Sequence, residues 1–289
     1  MNFQESLDAA RAMLGRAEWD EARRVLDHAE SVAADDSQQA LVAMHRASIA
    51  VLRGDADPDL LVFRENIVRR HSARHVVIAG YYILVHVLEK RDRDAAERYL
   101  VPFLDAVREM GDPYFDNVAQ DIVATLESLR GDHDAAIERQ RAALAELEEY
   151  DGPDALLLET TYAHNLAYSC LAANRYDEAL QYANASLAAG ERLGRSDFLG
   201  QILLTAAFAS LCSERLADTE RLADRASDLV AGTRFERYIH YLRGEVARRR
   251  GDLDRAAEHF GRLETLYPDI PGVVEILLSM NVAPFLLPE

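Results

Sequence analysis

Two histidines, His71 and His75, have the spacing of a metal-binding pair. Side chains four positions apart lie on the same face of a helix, so two imidazoles at this spacing could hold one metal ion. These two straddle a predicted boundary between helices, and no Glu stands between them in the arrangement that zinc proteases use. We therefore interpret both as structural histidines and predict no metal site.

The remaining patterns with catalytic potential are weaker. The acidic run from Glu146 to Asp151 lacks the alternating ligands and the central Gly of a calcium loop, which favours a solvated face. Cys170 and Cys212 each lie in an apolar helical pattern and are interpreted as small buried hydrophobes. The sequence contains no Gly-rich phosphate loop, nucleophile elbow or paired-Cys motif. We therefore expect no catalysis and no cofactor.

The tripeptide Arg-Gly-Asp occurs three times, beginning at Arg53, Arg130 and Arg250. An adhesion motif is one interpretation, but all three copies fall at the same point of a longer pattern. Gly can adopt the left-handed conformation that ends a helix, and Asp can accept hydrogen bonds from the first amides of the next helix. The tripeptide therefore indicates a junction between two helices.

These junctions belong to a repeated unit that is clearest between Thr160 and Leu187. Apolar residues recur there at spacings of three and four in two successive stretches, which predicts two amphipathic helices. Asn174 between the stretches is typical of a helix end, and Asp177 is an early acidic residue of the second helix. The unit therefore predicts helix, turn, helix.

This unit resembles a tetratricopeptide repeat. Ala167 takes the small position of the first helix (helix A), Tyr176 the aromatic position at the turn, and Ala179 the small position of the second helix (helix B). A large side chain at such a close contact would overpack it at a cost of about 1 to 3 kcal/mol. The resemblance implies an all-α, right-handed superhelix of about seven helical hairpins and a C-terminal capping helix. The turn positions recur at intervals longer than the 34 residues of the standard repeat, as in the long repeats of bacterial regulatory arrays.

The repeat predicts one continuous array over the whole chain. Its hairpins span residues 2–36, 37–72, 73–110, 111–151, 152–195, 196–232 and 233–268, followed by a cap and tail over 269–289. The turn positions are Trp19, Ala56, Arg93, His133, Tyr176, Leu216 and Leu253. The small positions of helix A are Ala10, Ala47, Leu84, Ala124, Ala167, Ala207 and Gly244, and those of helix B are Ala22, Asp59, Ala96, Ala136, Ala179, Thr219 and Ala256. Leu84 and Asp59 depart from the pattern.

The tail from Asn281 to Glu289 cannot be helical through its prolines. Three placements are open: against the cap, in the groove of its own chain, or in the groove of a neighbouring chain. Packing against the cap is the simplest of these, because terminal repeats need their apolar face covered.

In proteins with this fold, the concave helix A surface binds peptides or protein segments, so the resemblance implies a binding groove here. By register it comprises Tyr81, Tyr82, Asp121, Thr125, His164, Asn165, Tyr168, Phe208, Tyr241 and Glu245, flanked by Met44, Ser48, Val85, Thr205 and Arg248. Aromatic rings supply rigid contact area, and amides can pair with an extended backbone. Asn165 is the foremost candidate; the alternative is that it only joins neighbouring helices.

The charge of the chain restricts its partners. Acidic residues outnumber Lys and Arg by 50 to 32, giving a net charge of −18. Phosphate backbones and anionic membranes require clustered cations, so neither nucleic acid nor a membrane is an expected partner. A protein or peptide segment that carries Arg or Lys would be attracted. Self-association into a homo-oligomer is a further option that the sequence does not decide.

The N-terminal residues lack the basic start and apolar stretch of a signal peptide, so we expect a cytoplasmic protein. The leading hypothesis is a non-catalytic scaffold or adaptor that binds a peptide or protein segment in its groove. The alternative is a ligand- or peptide-sensing regulatory module of a bacterial signalling or transcription system. Because the repeats begin almost at Met1, such a sensor would act through a separate effector protein.

Overall fold

The structure, a computed structural model, describes residues 1–16, 18–53, 58–150, 155–194, 196–233, 235–266 and 272. Within these ranges the fold is all-α, with fourteen α-helices, one 3-10 turn and no strand. The chain forms two compact units, residues 1–158 and 159–289. The predicted helical repeat is confirmed, whereas the predicted single continuous array stays a prediction.

The first unit contains four helix pairs. Its helices are α1 (Phe3–Gly15), α2 (Trp19–Ser31), α3 (Asp36–Leu52), α4 (Leu61–Arg69), α5 (Ala73–Glu89), α6 (Arg93–Met110), α7 (Pro113–Arg130) and α8 (His133–Glu146). A 3-10 turn over Leu147–Glu149 follows α8. The core lies between helices that are adjacent in sequence and between α3, α5 and α7, as expected for stacked hairpins.

The second unit contains three helix pairs. Its helices are α9 (Ala155–Ala172), α10 (Tyr176–Leu193), α11 (Ser196–Cys212), α12 (Leu216–Val230), α13 (Glu236–Arg249) and α14 (Leu253–Leu266). The first residues of α9 precede the boundary at residue 158. The predicted capping helix and tail lie outside the described residues. Of the helices that the structure describes, none is both long and apolar enough to cross a bilayer.

The second helix of nearly every pair begins at the residue that the repeat pattern indicates. These residues are Trp19, Arg93, His133, Tyr176, Leu216 and Leu253, and Ala56 of the second pair lies outside the described residues. Two positions earlier, the backbone is left-handed at Gly131, Asn174 and Gly251, with φ of 90°, 59° and 82°. The following amide then donates back into the preceding helix, as Arg175 N does to the carbonyl of Cys170 at 2.8 Å. This C-terminal motif explains the recurring Gly and Asn of the junctions.

The Arg-Gly-Asp copies at Arg130 and Arg250 both lie at such junctions, while Gly54 and Asp55 of the first copy lie outside the described residues. Asp252 accepts a hydrogen bond from the amide of Arg255 at 3.1 Å, as expected for a helix cap. Asp132 makes no side-chain cap bond, so the expectation for that Asp is wrong. The glycine conformation is the feature that these two copies share.

The small residues predicted to mediate close helix contacts are buried in all but the second hairpin. Those with 0% exposure are Ala10, Ala22, Ala96, Ala124, Ala136, Ala167, Ala179, Ala207, Thr219 and Ala256. In the third hairpin, α5 lies close to α6 at Gly80, one helical turn before the predicted contact position Leu84. A Cβ built there would lie 3.1 Å from the Cβ of Phe103. In this hairpin, the smallest residue of α5 therefore lies where α6 carries a large ring.

The predicted register of the second hairpin is wrong. Asp59 is exposed and accepts a hydrogen bond from the amide of Leu61, which places it before α4 and not inside it. On α3, Ser48 is fully buried and Ala47 is not. Because α4 is short and buries Phe63 and Asn66 in place of alanines, the usual small-residue contact is absent from the described part of this pair.

Candidate functional site

The residues predicted to form the groove lie on the first helix of successive pairs. Tyr81 and Tyr82 are on α5, Asp121 and Thr125 on α7, His164, Asn165 and Tyr168 on α9, Phe208 on α11, and Tyr241 and Glu245 on α13. The first four belong to residues 1–158 and the other six to residues 159–289. They therefore form two separate sets.

In the second unit, three predicted groove residues are core residues. Phe208 is 2% exposed and Tyr241 1%, and Glu245 is fully buried. The ring of Phe208 meets Tyr241 at a centroid distance of 6.2 Å, and Tyr241 meets Phe260 of α14 at 6.3 Å. The expectation that these side chains face an open groove is wrong, because α13 and α14 bury them. Thr205 of α11, which was predicted to flank the groove, is also buried.

Glu245 has a structural role as an ion-pair centre. Its Oε1 accepts from Arg248 Nε at 2.7 Å, and its Oε2 accepts from Arg249 Nε at 3.2 Å. Arg249 also donates to the carbonyl of Leu211 at 2.9 Å and to Glu214 at 2.7 Å, which connects α13 to the end of α11. A buried carboxylate with two guanidinium partners is a stable arrangement, since an unpaired buried charge costs several kcal/mol, roughly 3 to 5.

His164, Asn165 and Tyr168 of α9 form what we call the α9 strip. All three are half-buried, and Tyr168 follows His164 by four positions and Asn165 by three, which places its ring beside both of them on the helix surface. Burial lowers the pKa of His164 to about 4, so its imidazole is neutral at pH 7. The strip thus combines an imidazole, a carboxamide and a phenol, which together offer donors, acceptors and ring surface to an extended peptide backbone.

In the first unit, Asp121 is buried and Thr125 is half-buried. Asp121 is 6% exposed, and the Thr125 hydroxyl donates to the Asp121 carbonyl at 2.9 Å within its own helix. Met44 and Ser48, the predicted flanking residues on α3, are fully buried. Asp121, Met44 and Ser48 were expected at a groove surface, and that expectation is wrong because they are buried. Thr125 keeps part of its surface accessible, so its role in binding stays a prediction.

Tyr81 and Tyr82 line a cavity of about 60 Å³ in the first unit. The other lining residues come from α1, α3, α5 and α7 and are Arg11, His45, Arg74, Ile78, Phe115 and Val118. We call this the Arg74 cavity. Arg11, His45 and Arg74 were missed by sequence reasoning, because they are separated along the chain and belong to no motif. The only sequence signal is that Arg11 directly follows the small position Ala10.

His45 is the most unusual group of this cavity. It is 2% exposed, and its ring lies edge-on to Tyr82 at a centroid distance of 6.5 Å. Among the residues that the structure describes, neither ring nitrogen has a hydrogen-bond partner. Burial, with smaller effects of Arg11 and Arg74, lowers the pKa of His45 to about 3. The ring is therefore neutral at pH 7 and offers one N–H donor and one acceptor.

Of the two histidines four positions apart, His75 has a structural role. The Nε2 atom of His75 lies 2.9 Å from the carbonyl oxygen of Ser37, and its Nδ1 lies 2.8 Å from the hydroxyl of Ser72. Both ring nitrogens are thus engaged in fixing the start of α5 against the start of α3. Among the described residues, no group of three His, Cys, Asp or Glu side chains could hold a metal ion.

Comparisons with known proteins identify the fold but not a family. No family model matches the sequence, and no curated protein resembles it in sequence. A Rap protein solved in complex with competence and sporulation factor shares 13% identity, over 92% of this chain and 88% of that chain, with a TM-score of 0.57. Aspartyl phosphate phosphatase F from Bacillus subtilis shares 11%, over 97% and 79%, with a TM-score of 0.56.

A third similar structure is BtubC from P. vanneervenii, with 18% identity over 80% of this chain and 93% of that chain, and a TM-score of 0.56. At these identities the similarity concerns the fold alone. The chain has the same kind of all-helical repeat fold as these proteins.

Proposed function

We propose that this chain is a non-catalytic, peptide- or protein-binding module of the tetratricopeptide-repeat type, whose α9 strip contacts the bound segment. The proposal rests on which of the predicted groove residues are accessible to solvent. Five of the ten predicted groove residues are buried. Of the five that keep part of their surface accessible, three lie on one helix, namely His164, Asn165 and Tyr168 of α9. Binding groups that are both ordered by a helix and partly open to solvent are suited to recognition.

Electrostatics favours a basic segment as the partner. The net charge of −18 produces an attractive field for Arg and Lys, which raises the association rate at low salt. Asn165 would hydrogen-bond the backbone of the segment and Tyr168 would contribute ring contact. A cytoplasmic location, without nucleic acid or membrane as partners, remains part of this proposal.

Peptides selected from a random library for binding to the full chain provide the test. The dissociation constant of the best peptide would be measured for the wild type, Asn165→Ala and Tyr168→Ala. Removing one partner of a buried hydrogen bond costs about 1 to 3 kcal/mol, so each variant should weaken binding by roughly five- to a hundredfold. The matched control is Asn184→Ala, which removes an exposed Asn of the neighbouring helix α10.

Unchanged affinity in both α9 variants would reject the α9 strip as the site, provided that the variants keep the wild-type circular dichroism spectrum. A peptide that binds as tightly at high as at low salt would contradict the charge argument, because attraction between exposed charges is screened by salt.

The second candidate is a sensor that changes its affinity for an effector protein when it binds a ligand. It is favoured by the similarity in fold to the Rap protein solved with competence and sporulation factor. The two candidates differ in whether peptide binding changes effector binding. A sensor must bind its effector with a different affinity when the peptide is present, and the effector must change the affinity for the peptide by the same factor. Equal affinity of a recovered protein partner with and without the selected peptide would favour the scaffold.

The absence of catalysis is part of the proposal. One protein of similar fold is an aspartyl phosphate phosphatase, and that activity belongs to that protein. Here the buried Glu245 is paired with Arg248 and Arg249, which stabilise its charged form, and the pKa of His45 is lowered to about 3, which makes its imidazole a weak base. Efficient general acid or base catalysis requires a pKa close to the operating pH, and that of His45 is far from it. Faster loss of phosphate from an aspartyl-phosphorylated protein in the presence of this chain would contradict the proposal.

A further inference from the structure

We propose that the Arg74 cavity binds the carboxylate of a small organic acid. This site belongs to the first unit and shares no residue with the α9 strip, so it does not depend on the proposed peptide binding. Its members Arg11, His45 and Arg74 come from α1, α3 and α5, and converge on one cavity of about 60 Å³.

The first reason is an unmatched positive charge. Arg74 is half-buried, and no carboxylate of the described residues lies within ion-pair distance of its guanidinium. Burial lowers the pKa of Arg74, and the positive charge of Arg11 lowers it further. Two guanidinium groups that are held together at the cost of desolvation and mutual repulsion are stabilised when an anion lies between them.

The nearest acidic side chains are already engaged elsewhere. Asp8 pairs with Arg11 at 3.8 Å and accepts a hydrogen bond from Gln4 at 2.8 Å. Asp112 caps α7 by accepting from the amide of Tyr114 at 3.0 Å. Both carboxylates attract Arg74 from a distance, which raises its pKa, but this effect is smaller than that of burial and of Arg11. Neither carboxylate forms an ion pair with Arg74, so a direct acceptor for the guanidinium would come from a ligand.

The second reason is the buried imidazole of His45. A buried polar group without a hydrogen bond costs roughly 1 to 3 kcal/mol. Both ring nitrogens lack a partner in the described part of the chain, and the ring lines a cavity. The N–H of a neutral imidazole can donate to one carboxylate oxygen while the planar fork of Arg74 donates to the other. These donors match the two oxygens of a carboxylate, which would give His45 the hydrogen-bond partner that the described residues do not provide.

The size and walls of the cavity define the ligand further. A volume of about 60 Å³ admits a few water-sized groups, so the carboxylate head enters and the remainder of the ligand lies at the mouth. Ile78, Phe115 and Val118 supply apolar walls, and Tyr81 and Tyr82 supply aromatic ones. An acid whose carboxylate is attached to an apolar or aromatic carbon therefore fits better than a strongly hydrated phosphate.

The experiment observes the two key side chains directly. The full chain, with ¹⁵N-labelled Arg and His, would be titrated at pH 7.5 in a carboxylate-free buffer with acetate, benzoate, N-acetylalanine, N-acetylalanine amide and inorganic phosphate. N-acetylalanine stands for the C-terminus of a peptide, whereas acetate and benzoate stand for free acids. The carboxylates should shift the Nε resonance of Arg74 and the ring nitrogens of His45, and the amide should not.

Variants then separate binding from general charge effects. Arg74→Gln should weaken binding of benzoate at least tenfold, and Arg74→Lys should restore part of it, because Lys keeps the charge but not the two-pronged donor. The matched control is Arg24→Gln, which removes an exposed Arg of the same unit that pairs with Glu21. Arg24→Gln should bind benzoate as the wild type does.

Each outcome decides the proposal. Shifts caused by acetate, benzoate or N-acetylalanine that disappear in Arg74→Gln support it, and their relative affinities distinguish a free acid from a peptide terminus. No shift with any carboxylate at millimolar concentration overturns it. Equal or tighter binding of phosphate, or an equal loss of affinity in Arg24→Gln, overturns it as well.

Discussion

Gly244 of α13 lies directly against the ring of Phe260 of α14. A Cβ built on Gly244 would lie 2.7 Å from Cδ1 of Phe260 and closer still to the ring edge, which is less than real carbon atoms allow. Phe260 itself is fully buried, so the ring has no free space into which to move. The two residues therefore fix how closely the last described helix pair can approach.

Gly244→Ala should lower the free energy of unfolding of the second unit by about 1 to 3 kcal/mol, since it overpacks this contact. The control is Gly261→Ala on α14, where a Cβ meets nothing within 4 Å. Ala is the better helix former, so Gly261→Ala should be neutral or stabilising by about 0.5 to 1 kcal/mol. Urea unfolding followed by circular dichroism compares the two variants, and equal stability would contradict the close contact.

The small residues of the fifth hairpin lead to a prediction about the stability of two alanine-to-leucine variants. Ala179 of α10 is fully buried, whereas Ala185 of the same helix is exposed. Ala179→Leu should destabilise by roughly 1 to 3 kcal/mol because the added carbon atoms have no room. Ala185→Leu should change stability by less than about 0.5 kcal/mol. Thermal melting distinguishes them, and tolerance of Leu at residue 179 would be incompatible with the observed packing.

The ion pairs of Glu245 should matter for stability. Glu245→Ala leaves Arg248 and Arg249 without their carboxylate, and the loss should be about 2 kcal/mol because both guanidinium groups keep some contact with water. Glu245→Gln keeps an acceptor and should cost less. The control is Glu258→Ala, whose pair with Arg262 is exposed and should contribute less than about 1 kcal/mol. If both alanine variants unfold at the same urea concentration, the buried pair has no special role.

Acid should destabilise the first unit through His45. The pKa of His45 in the folded state is about 3, below its ordinary value of 6.5. Below pH 6.5 the unfolded chain takes up a proton that the folded chain does not, so stability falls as the pH decreases from about 6.5 towards 3. The slope is at most about 1.4 kcal/mol per pH unit for this one group.

His45→Leu should remove that part of the pH dependence while filling the same apolar space. The measurement is the urea midpoint at several pH values between 7 and 4, for the variant and the wild type. Burial also lowers the pKa of His164, to about 4, so His164→Leu serves as a comparison that alters the second unit instead. An identical pH dependence for His45→Leu and the wild type would show that His45 is protonated without penalty in the folded state.

Helix junctions were predictable because their signals are local. Asn174 and Gly251 adopt the left-handed backbone that their residue types suggest, and the next helices begin at Tyr176 and Leu253 as the spacing predicts. The junction at Glu214 reaches the same conformation with φ of 59° although its residue type gives no such signal.

The exposure of the groove residues was less predictable. The register correctly places Phe208 and Tyr241 on the first helices of their pairs, but these helices are covered on more than one side. Helical periodicity indicates which residues share a face; it does not state how many neighbouring helices cover that face. His164, Asn165 and Tyr168 have a similar pattern in the sequence and remain partly accessible.

The sequence alone determined the all-helical repeat, the starts of most second helices and the small residues at their contacts, because each depends on residues within a few turns of one another. Only the tertiary structure brought Arg11, His45 and Arg74 to one cavity and buried Glu245 between two arginines. Charge and hydrogen-bond partners act through space, and the distances between residues of different helices are fixed only when those helices pack.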